Sequence, residues 1–483
     1  MALKIFDASG GTFMGCRNDH ADIMAMHPEV TGSCNLVIAK LPDGRTTKFG
    51  VDCGMFQERE HEELNDKLPF DPEEIEFCLV THNHVDHIGR LPFMVKNGFR
   101  GKIYTTETTS KLLPLALRDS YKVLRDTSKR RNKKLLYNEE HVAQTEKLIV
   151  PCKYDETIFP APNIKVKFLS NGHLVGAAMI LVQISYPDYD DINILFTGDY
   201  NNKNIFFDVK KVPEYIREMP ITIVQESTYG YMDSSEMEKT FEKNVLHCLD
   251  NDGTVVVPVF SLGRAQEILY EVKCMQDSGS LATDIPVYFD GKLAMKYTEL
   301  YIKDGLDNKP EMRDFLPKNL RYVDKMLRPS VLRSTNKKII ITTSGMGSYG
   351  PAQVYIPEYI TRKNCLIQFT GYCAEGTLGY RLKTAKQGDS VEIGGLVVKK
   401  YAQVEYTTEY SAHAKADEMI DFLKQFRNLK LVLVNHGQSE VKKKFAERIY
   451  DEVQPKRVGI LGEDYFFRVN PYGLQKTLSI NFE

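Results

Sequence analysis

The alternation of hydrophobic and polar positions changes character twice along this chain. From Lys4 it gives short apolar runs separated by turn signals, KIFDA, NLVIA, TTKFGVDCG and FCLVTH, and each run predicts a strand. Residues 15–28, GCRNDHADIMAMHP, interrupt the series with a Met-rich polar stretch containing His20 and His27, and are expected to form a surface insertion. Residues 77–92, FCLVTHNHVDHIGRLP, start apolar, break into alternating polar positions and continue as a helical pattern, so they read as buried strand, loop and helix. A long helical stretch holding RDSYKVLRDTSKRRNKKLLY follows, and strands resume with IKVKFLS, AAMILVQIS and INILFTGD.

From about Tyr229 the runs become continuously apolar: TVVVPVF, IPVYFD, KKIIITTSG and CLIQFTG, with helical patterns between most of them. That texture marks a parallel α/β sheet buried on both faces. Its first helix, SLGRAQEILYEV, spaces Leu262, Ala265, Ile268, Leu269 and Val272 along one side and carries Arg264 in its first turn, a geometry suited to phosphate. Near Tyr401 alternating β texture returns in VVKKYAQVEYT, LKLVLVNH and RVGILG, and the C-terminal part is expected to rejoin the first domain. The expected divisions are 1–230, 231–410 and 411–483, with the middle part inserted into a domain built from the other two.

Composition adds limits. A chain of 483 residues exceeds what one core usually supports, so about two or three domains are expected. The formal net charge of −2 advertises no general affinity for polyanions. The most basic run spans residues 118–134 and includes Arg118, Lys122, Arg125 and Lys134. Such a run is either a solvated helix face or a local nucleic-acid contact. Nine scattered cysteines, with no C-x-x-C spacing, fit reduced thiols better than a zinc ribbon or a disulfide framework. The start MALKIFDASGGTF lacks the basic and apolar segments of an export signal, and no run approaches the roughly 18 apolar residues of a membrane span, so a cytoplasmic protein without membrane contact is expected.

The chemistry concentrates at strand ends. THNHVDHIG places His82, His84, Asp86 and His87 within six residues, and three of the chain's 11 histidines in one loop argue against accident. In an extended loop His82 and His84 point to one side, while Asp86 and His87 enter a helical turn and face another, so one loop can serve two cations. His173 in SNGHLVG, Asp199 in FTGDY, His413 in EYSAHA and His436 in VNHGQSE occupy similar contexts. Imidazole and carboxylate without thiolate suit zinc, with manganese as the alternative. The natural allocation is one ion on His82, His84 and His173 and the other on Asp86, His87 and His436, bridged by Asp199. Asp52 in VDCG is placed to support a ligand from behind, a turn-forming Asp being the bland alternative. Two cations about 3.5–4 Å apart turn a water into hydroxide at neutral pH and stabilise in-line attack on phosphorus. The leaving oxygen needs a proton, for which His413 is the candidate acid and Glu226, in ITIVQESTYG, its carboxylate partner. Asp86 and Asp199 belong to the catalytic set as well as to the ligand set.

With these residues in place, THNHVDHIG, His173, Asp199 and VDCG resemble the metallo-β-lactamase superfamily, and QESTYG, VPVFSLGRAQE, TSGM, SAHA and NHG resemble its β-CASP branch. Within that branch the likeness is to prokaryotic homologues of the endonuclease subunit of the cleavage and polyadenylation specificity factor. The resemblance implies an αββα sandwich with an inserted parallel-sheet α/β (β-CASP) domain, two Zn2+ ions, and a nucleic-acid path between the domains. It implies that Glu226 is the acidic motif, that His413 is the acid, and that His436, where DNA-directed members carry Val, marks an RNA-directed member. It also implies that Arg264, Ser344, Gly345, Gly371, Thr377 and Gly379 line the phosphate path. Lys415 follows SAHA where many relatives place Asp. The resulting expectation is a zinc-dependent ribonuclease, endonuclease or 5′-3′ exonuclease. It would cut single-stranded RNA in a cleft between the domains, with homo-oligomerisation allowed. The alternatives are a DNA nuclease or a small-molecule phosphodiesterase on the same core, or a catalytically silent RNA-binding scaffold.

Overall fold

The computed structural model describes residues 4–6, 19–25, 30–57, 59–187, 189–237, 239–303, 306–371, 373, 375–462, 465–471 and 475–481. The chain divides into two compact units. The first comprises Met1–Asn204, Val209–Ser234 and His413–Glu483, and the second Ile205–Asp208 and Ser235–Ala412.

Among the described residues the first unit contains two sheets. A nine-stranded sheet runs in the order β1 (Lys4–Phe6), β24 (Gln475–Asn481), β23 (Tyr465–Val469), β2 (His20–Ala25), β3 (Asn35–Lys40), β4 (Thr46–Val51), β5 (Phe77–Leu79), β6 (Lys102–Thr106) and β7 (Ile149–Cys152). A seven-stranded sheet runs β22 (Arg457–Ile460), β21 (Leu429–Val434), β12 (Ile221–Gln225), β11 (Ile192–Phe196), β10 (Ala178–Ile184), β9 (Ile164–Ser170) and β8 (Thr157–Ala161). The period of two sorts their side chains. On β10, Ile180, Val182 and Ile184 enter the core shared with Val37, Ala39, Phe49 and Val51 of the other sheet. Met179 and Leu181 turn the other way, toward Met419, Ile420, Phe445 and Ile449 of two covering helices. Behind the nine-stranded sheet, Leu91, Phe93, Leu113, Leu117 and Val142 supply the second helical layer. The result is an αββα sandwich, in which each fully buried Ile or Val contributes about 1.5–3 kcal/mol relative to exposure.

Residues 20–25 correct the expectation of a surface insertion. HADIMA is the buried strand β2, paired with β3 and β23. Ala21, Ile23 and Ala25 face the shared core. Asp22 accepts from Arg468 at 2.7 and 2.9 Å, and His20 lies 3.5 Å from Asp22. Two alanines carry little strand signal, and the buried acid is offset by an arginine distant in sequence, so local patterning reads as polar and irregular. His20 belongs to none of the potential metal-holding groups among the described residues. Residues 15–18 and 26–28, including His27, lie outside the described residues.

The second unit is organised on a sheet whose six strands all pair in parallel, β15 (Leu320–Tyr322), β14 (Val287–Asp290), β16 (Lys338–Thr342), β13 (Thr254–Pro258), β17 (Leu366–Phe369) and β20 (Gln403–Tyr406). Val255, Val256, Val257, Ile339, Ile340 and Ile341 are fully buried, as continuous apolar runs require of a sheet covered on both faces. The alternating texture after Tyr401 is β20, the edge of this sheet, preceded by a hairpin of β18 (Ser390–Ile393) and β19 (Leu396–Lys399). No helix among the described residues is long and apolar enough to cross a membrane.

Candidate metal centre

Strands of the first unit's two sheets, most of them parallel-paired, deliver their C-terminal ends to the site. Asp52 follows β4, His82 and His84 follow β5, His173 follows β9, Asp199 follows β11, Glu226 follows β12 and His436 follows β21. His84 is still extended (φ −75°, ψ 148°) and caps a one-turn helix, Val85–Ile88, that carries Asp86 and His87. The two histidines of the extended part and the pair in the helical turn therefore face different sides of the loop. The segment after β4 lies directly against this loop, with Cys53 N–H donating to the His87 carbonyl at 2.8 Å and Met55 N–H to Val85 at 3.0 Å. Gly54 permits the approach, because a Cβ there would collide with the Asp86 carbonyl.

Two groups of ligand atoms result, each lying within 4.8 Å of one another: His82, His84, His173 and Asp199, and Asp86, His87, Asp199 and His436. In the first, His84 Nδ1 lies 3.1 Å from His173 Nε2, and His82 Nε2 and His173 Nε2 lie 3.7 and 3.8 Å from Asp199 Oδ2. In the second, His87 Nε2 is 3.2 Å from His436 Nε2 and 3.3 Å from Asp199 Oδ2, and His436 Nε2 is 3.9 Å from Asp86 Oδ2. On a tetrahedral zinc with bonds near 2.0 Å, ligand atoms sit about 3.3 Å apart, so these separations fit.

The outer partners fix which nitrogen each ring presents. Asp52, held at φ 63°, accepts from the Thr81 N–H and hydroxyl and from His87 Nδ1–H, all at 2.8 Å. With its proton given to Asp52, the Thr81 hydroxyl accepts from His82 Nδ1–H at 3.0 Å. One buried carboxylate thus leaves the Nε2 lone pairs of both His82 and His87 facing the centre, the usual outer support of a metal-ligating histidine. His82 Nε2 is buried with no hydrogen-bond partner, an orphan that a cation would satisfy.

The electrostatics point the same way. Burial holds His82 well below its ordinary pKa and His84 at about 4, keeping both rings neutral and able to donate lone pairs. Burial also opposes charge on His87, yet the Asp199 and Asp52 carboxylates hold its pKa well above the ordinary value. Burial would raise Asp199, but the neighbouring His436, His87 and His413 hold it well below the usual carboxylate range. The negative charge that favours protons here equally favours divalent cations.

Beside the two groups, His413 Nδ1 lies 3.1 and 3.0 Å from the Glu226 oxygens, and its Nε2 lies 4.0 Å from Asp199 Oδ2. Glu226 is buried and fixed by the Tyr200 N–H at 2.8 Å and the Thr228 N–H at 3.3 Å. Burial opposes a charge on His413, but the Glu226 and Asp199 charges, with the Glu226 hydrogen bond, raise its pKa above the ordinary value.

Comparison with known proteins fits this geometry. A model of the metallo-beta-lactamase superfamily matches residues 43–166, a Beta-Casp domain model residues 265–382, and a Zn-dependent metallo-hydrolase RNA specificity domain residues 397–460. An RNase J-like protein of Methanocaldococcus jannaschii is 30% identical over 434 residues, covering 87% of this chain and 94% of the relative. The chain belongs to the β-CASP branch of the metallo-β-lactamase superfamily. A transcription termination factor FttA of Methanosarcina mazei is 28% identical over 455 residues, covering 88% of this chain and 68% of the relative. A ribonuclease of Thermus thermophilus is 28% identical over 424 residues, covering 85% of this chain and 91% of the relative. As a β-CASP protein with this His/Asp cluster, the chain is a metal-dependent hydrolase.

The six residues that the β-CASP resemblance places on a phosphate path all belong to the second unit, in the loops after β13, β16 and β17 or in the first turn of the helix that follows. The loops touch: Gly379 N–H donates to the Met346 carbonyl and Leu378 N–H to Ser348 Oγ, both at 2.9 Å. Local contacts already account for most of the six. Arg264 is buried, pairs with Glu267 at 2.9 Å, donates to the Thr370 carbonyl, and lies over the Tyr410 ring at 6.0 Å. A first-turn arginine reads as a phosphate ligand from sequence, and here it also ties the β17 loop to the helix Arg264–Ser278. Ser344 Oγ accepts from the Tyr349 N–H at 3.3 Å, and Thr377 caps the helix Leu378–Thr384. A Cβ at Gly345 would meet the Phe260 ring at 2.7 Å, one at Gly379 would meet Cys373 Sγ, and one at Gly371 would lie 3.7 Å from Arg264 Nη1. In the basic run, Arg118 pairs with Glu146, Arg125 with Asp126, and Arg131 and Lys133 with Glu62. Acids therefore offset part of its charge.

Residue-type reasoning passed over Thr81 and Thr228. Thr81 relays Asp52 to His82, and the Thr228 hydroxyl lies 3.1 Å from His436 Nδ1. Thr81 directly precedes the first histidine of THNH, and that adjacency was the available signal.

Proposed function

We propose that this chain is a zinc-dependent ribonuclease that hydrolyses phosphodiester bonds of single-stranded RNA. The observation that carries the reading is the convergence of two four-residue ligand groups on one shared carboxylate, Asp199, with the His413–Glu226 pair beside them. The donor set fits a pair of zinc ions, one held by His82, His84 and His173 and one by Asp86, His87 and His436, with Asp199 common to both. When bound, such a pair lowers the pKa of a water and offsets charge on the phosphate.

The chain's own residues supply the rest. Asp52, directly and through Thr81, keeps His87 and His82 in the tautomer that donates from Nε2. Glu226 accepts from His413 Nδ1–H and stabilises the imidazolium, so that Nε2–H can be delivered to the leaving oxygen as the P–O bond breaks. The assignment to RNA is supported by the RNA specificity domain match and by relatives named as RNase J-like and as a ribonuclease.

Labelled single-stranded RNA and single-stranded DNA of the same sequence, incubated with zinc-loaded protein, test the substrate class. RNA should be cut and DNA spared. Equal cleavage of DNA would make the chain a general nuclease, and cleavage of neither, alongside turnover of a small phosphodiester, would make it a small-molecule phosphodiesterase.

A further inference from the structure

Beside His87, Asp199 and His436 lies a cavity of about 20 Å³ of mixed lining, bordered by Asn35, Asp52 and Asn435 as well as by Val51, Phe196 and Val224. His436 borders this cavity, and directional hydrogen bonds hold the segment that carries it. Its backbone is left-handed at φ 48°, a conformation that a residue with a side chain holds only where its surroundings over-determine it.

The bonds that hold it form a short network. Ser227 N–H donates to the His436 carbonyl at 3.1 Å, Ser227 Oγ to the Asn435 carbonyl at 2.9 Å, and Asn435 N–H to the Gln225 carbonyl at 2.8 Å. All three stay within the seven-stranded sheet and its loops. The Asn435 side chain reaches the other sheet, its Nδ2–H donating to Asn35 Oδ1 at 3.0 Å. Asn35 opens β3, and its own Nδ2 reaches the carbonyl of Val51 at 3.5 Å, the residue before Asp52. Asp52 in turn holds His87 Nδ1–H. Both amides are buried.

We infer that Asn35 and Asn435 are positioning residues that set the spacing between His87, carried by one sheet, and His436, carried by the other. The inference rests on the proposed reading of these histidines as ligands of one metal ion. Neither amide touches a ligand atom. They act chiefly through the backbone of His436, and so they govern the second ligand group more than the His82, His84 and His173 group, which the tie reaches only at a distance, through Val51, Asp52 and Thr81.

The test is a zinc titration of metal-free protein against a competing chelator dye, paired with the visible spectrum of cobalt-loaded protein and a melting curve. The wild type, Asn35→Leu, Asn435→Leu and the double variant are compared. Each single variant should bind one equivalent nearly as tightly as the wild type does and weaken the other by roughly 10–100-fold, the range for loss of an outer partner. The double variant should be no worse than either single, because the two amides form one tie. Where leucine at 435 prevents folding, Asn435→Ser shortens the side chain out of reach of Asn35 without adding volume and reads the same affinity. Wild-type affinity for both equivalents in the variants would overturn the inference, as would parallel loss of both equivalents with the melting temperature. A wild-type protein that binds no metal would instead overturn the metal reading itself, and the tie with it.

Discussion

Asp199→Ala is expected to lose both metal equivalents and to lower RNA cleavage by on the order of 10³-fold or more, beyond the roughly 10–100-fold that loss of an outer hydrogen-bond partner costs. Every other ligand candidate belongs to one group, whereas Asp199 belongs to both, with Oδ2 3.3 Å from His87 Nε2 and Oδ1 3.3 Å from His436 Nδ1. Its removal also takes away the one carboxylate common to both histidine groups, leaving only the peripheral acids Asp52, Asp86 and Glu226 to offset any proton the histidines carry. Metal analysis of the purified variant by atomic absorption, with single-turnover cleavage, checks this. Retention of one full equivalent would mean that Asp199 serves a single site.

His413→Ala is expected to lower kcat by roughly 10²–10⁴-fold, the usual contribution of a positioned proton donor, while metal content stays near wild type. The distinction matters because Asp199, Glu226 and His413 also lie close enough to form a third potential ligand group. Loss of a metal equivalent in His413→Ala would make it a ligand. The pH dependence gives an independent reading. The Glu226 and Asp199 charges outweigh burial and raise the His413 pKa above 6.5, so the protonated form persists to a higher pH than in the unfolded chain. Stability from this pair is fully present below the unfolded pKa and is lost as pH rises through the folded one. Activity that needs the protonated ring should fall over the same rise. Glu226→Gln removes the larger raising charge, so its alkaline limb in kcat/KM should move to lower pH. An unmoved limb would assign that limb to another group.

Much of the centre could be read from sequence because its chemistry sits at strand ends, where an apolar run stops abruptly. THNHVDHIG announces itself by composition, and His173, Asp199, Glu226 and His436 each follow a run long enough to be a strand. The parallel sheet of the second unit was legible for a similar reason, since continuous runs such as TVVVP and KIIIT suit only strands covered on both faces. What escaped depends on partners distant in sequence. β2 is a strand because Arg468 offsets Asp22, 446 residues away, and because Ala21 and Ala25 fit a tight core. β20 shares the alternating texture of the first domain's strands although it closes the second unit's sheet, since an edge strand alternates in the same way wherever it pairs. Arg264 shows the limit at single residues. Its place at a helix start was visible, but Glu267 and the Thr370 carbonyl, which accept from its Nε and Nη1, were not. Neither Asn35 nor Asn435 carries any local sign of their hydrogen bond across 400 positions.

The central claim is that two cations held around Asp199 are needed for cutting RNA. Its most direct test is to titrate rigorously metal-free protein with zinc while measuring bound metal and the cleavage rate of labelled single-stranded RNA on the same samples. The account predicts no cleavage without metal and a rate that saturates at two equivalents per chain. Full cleavage by the metal-free protein, or saturation at one equivalent, would contradict it.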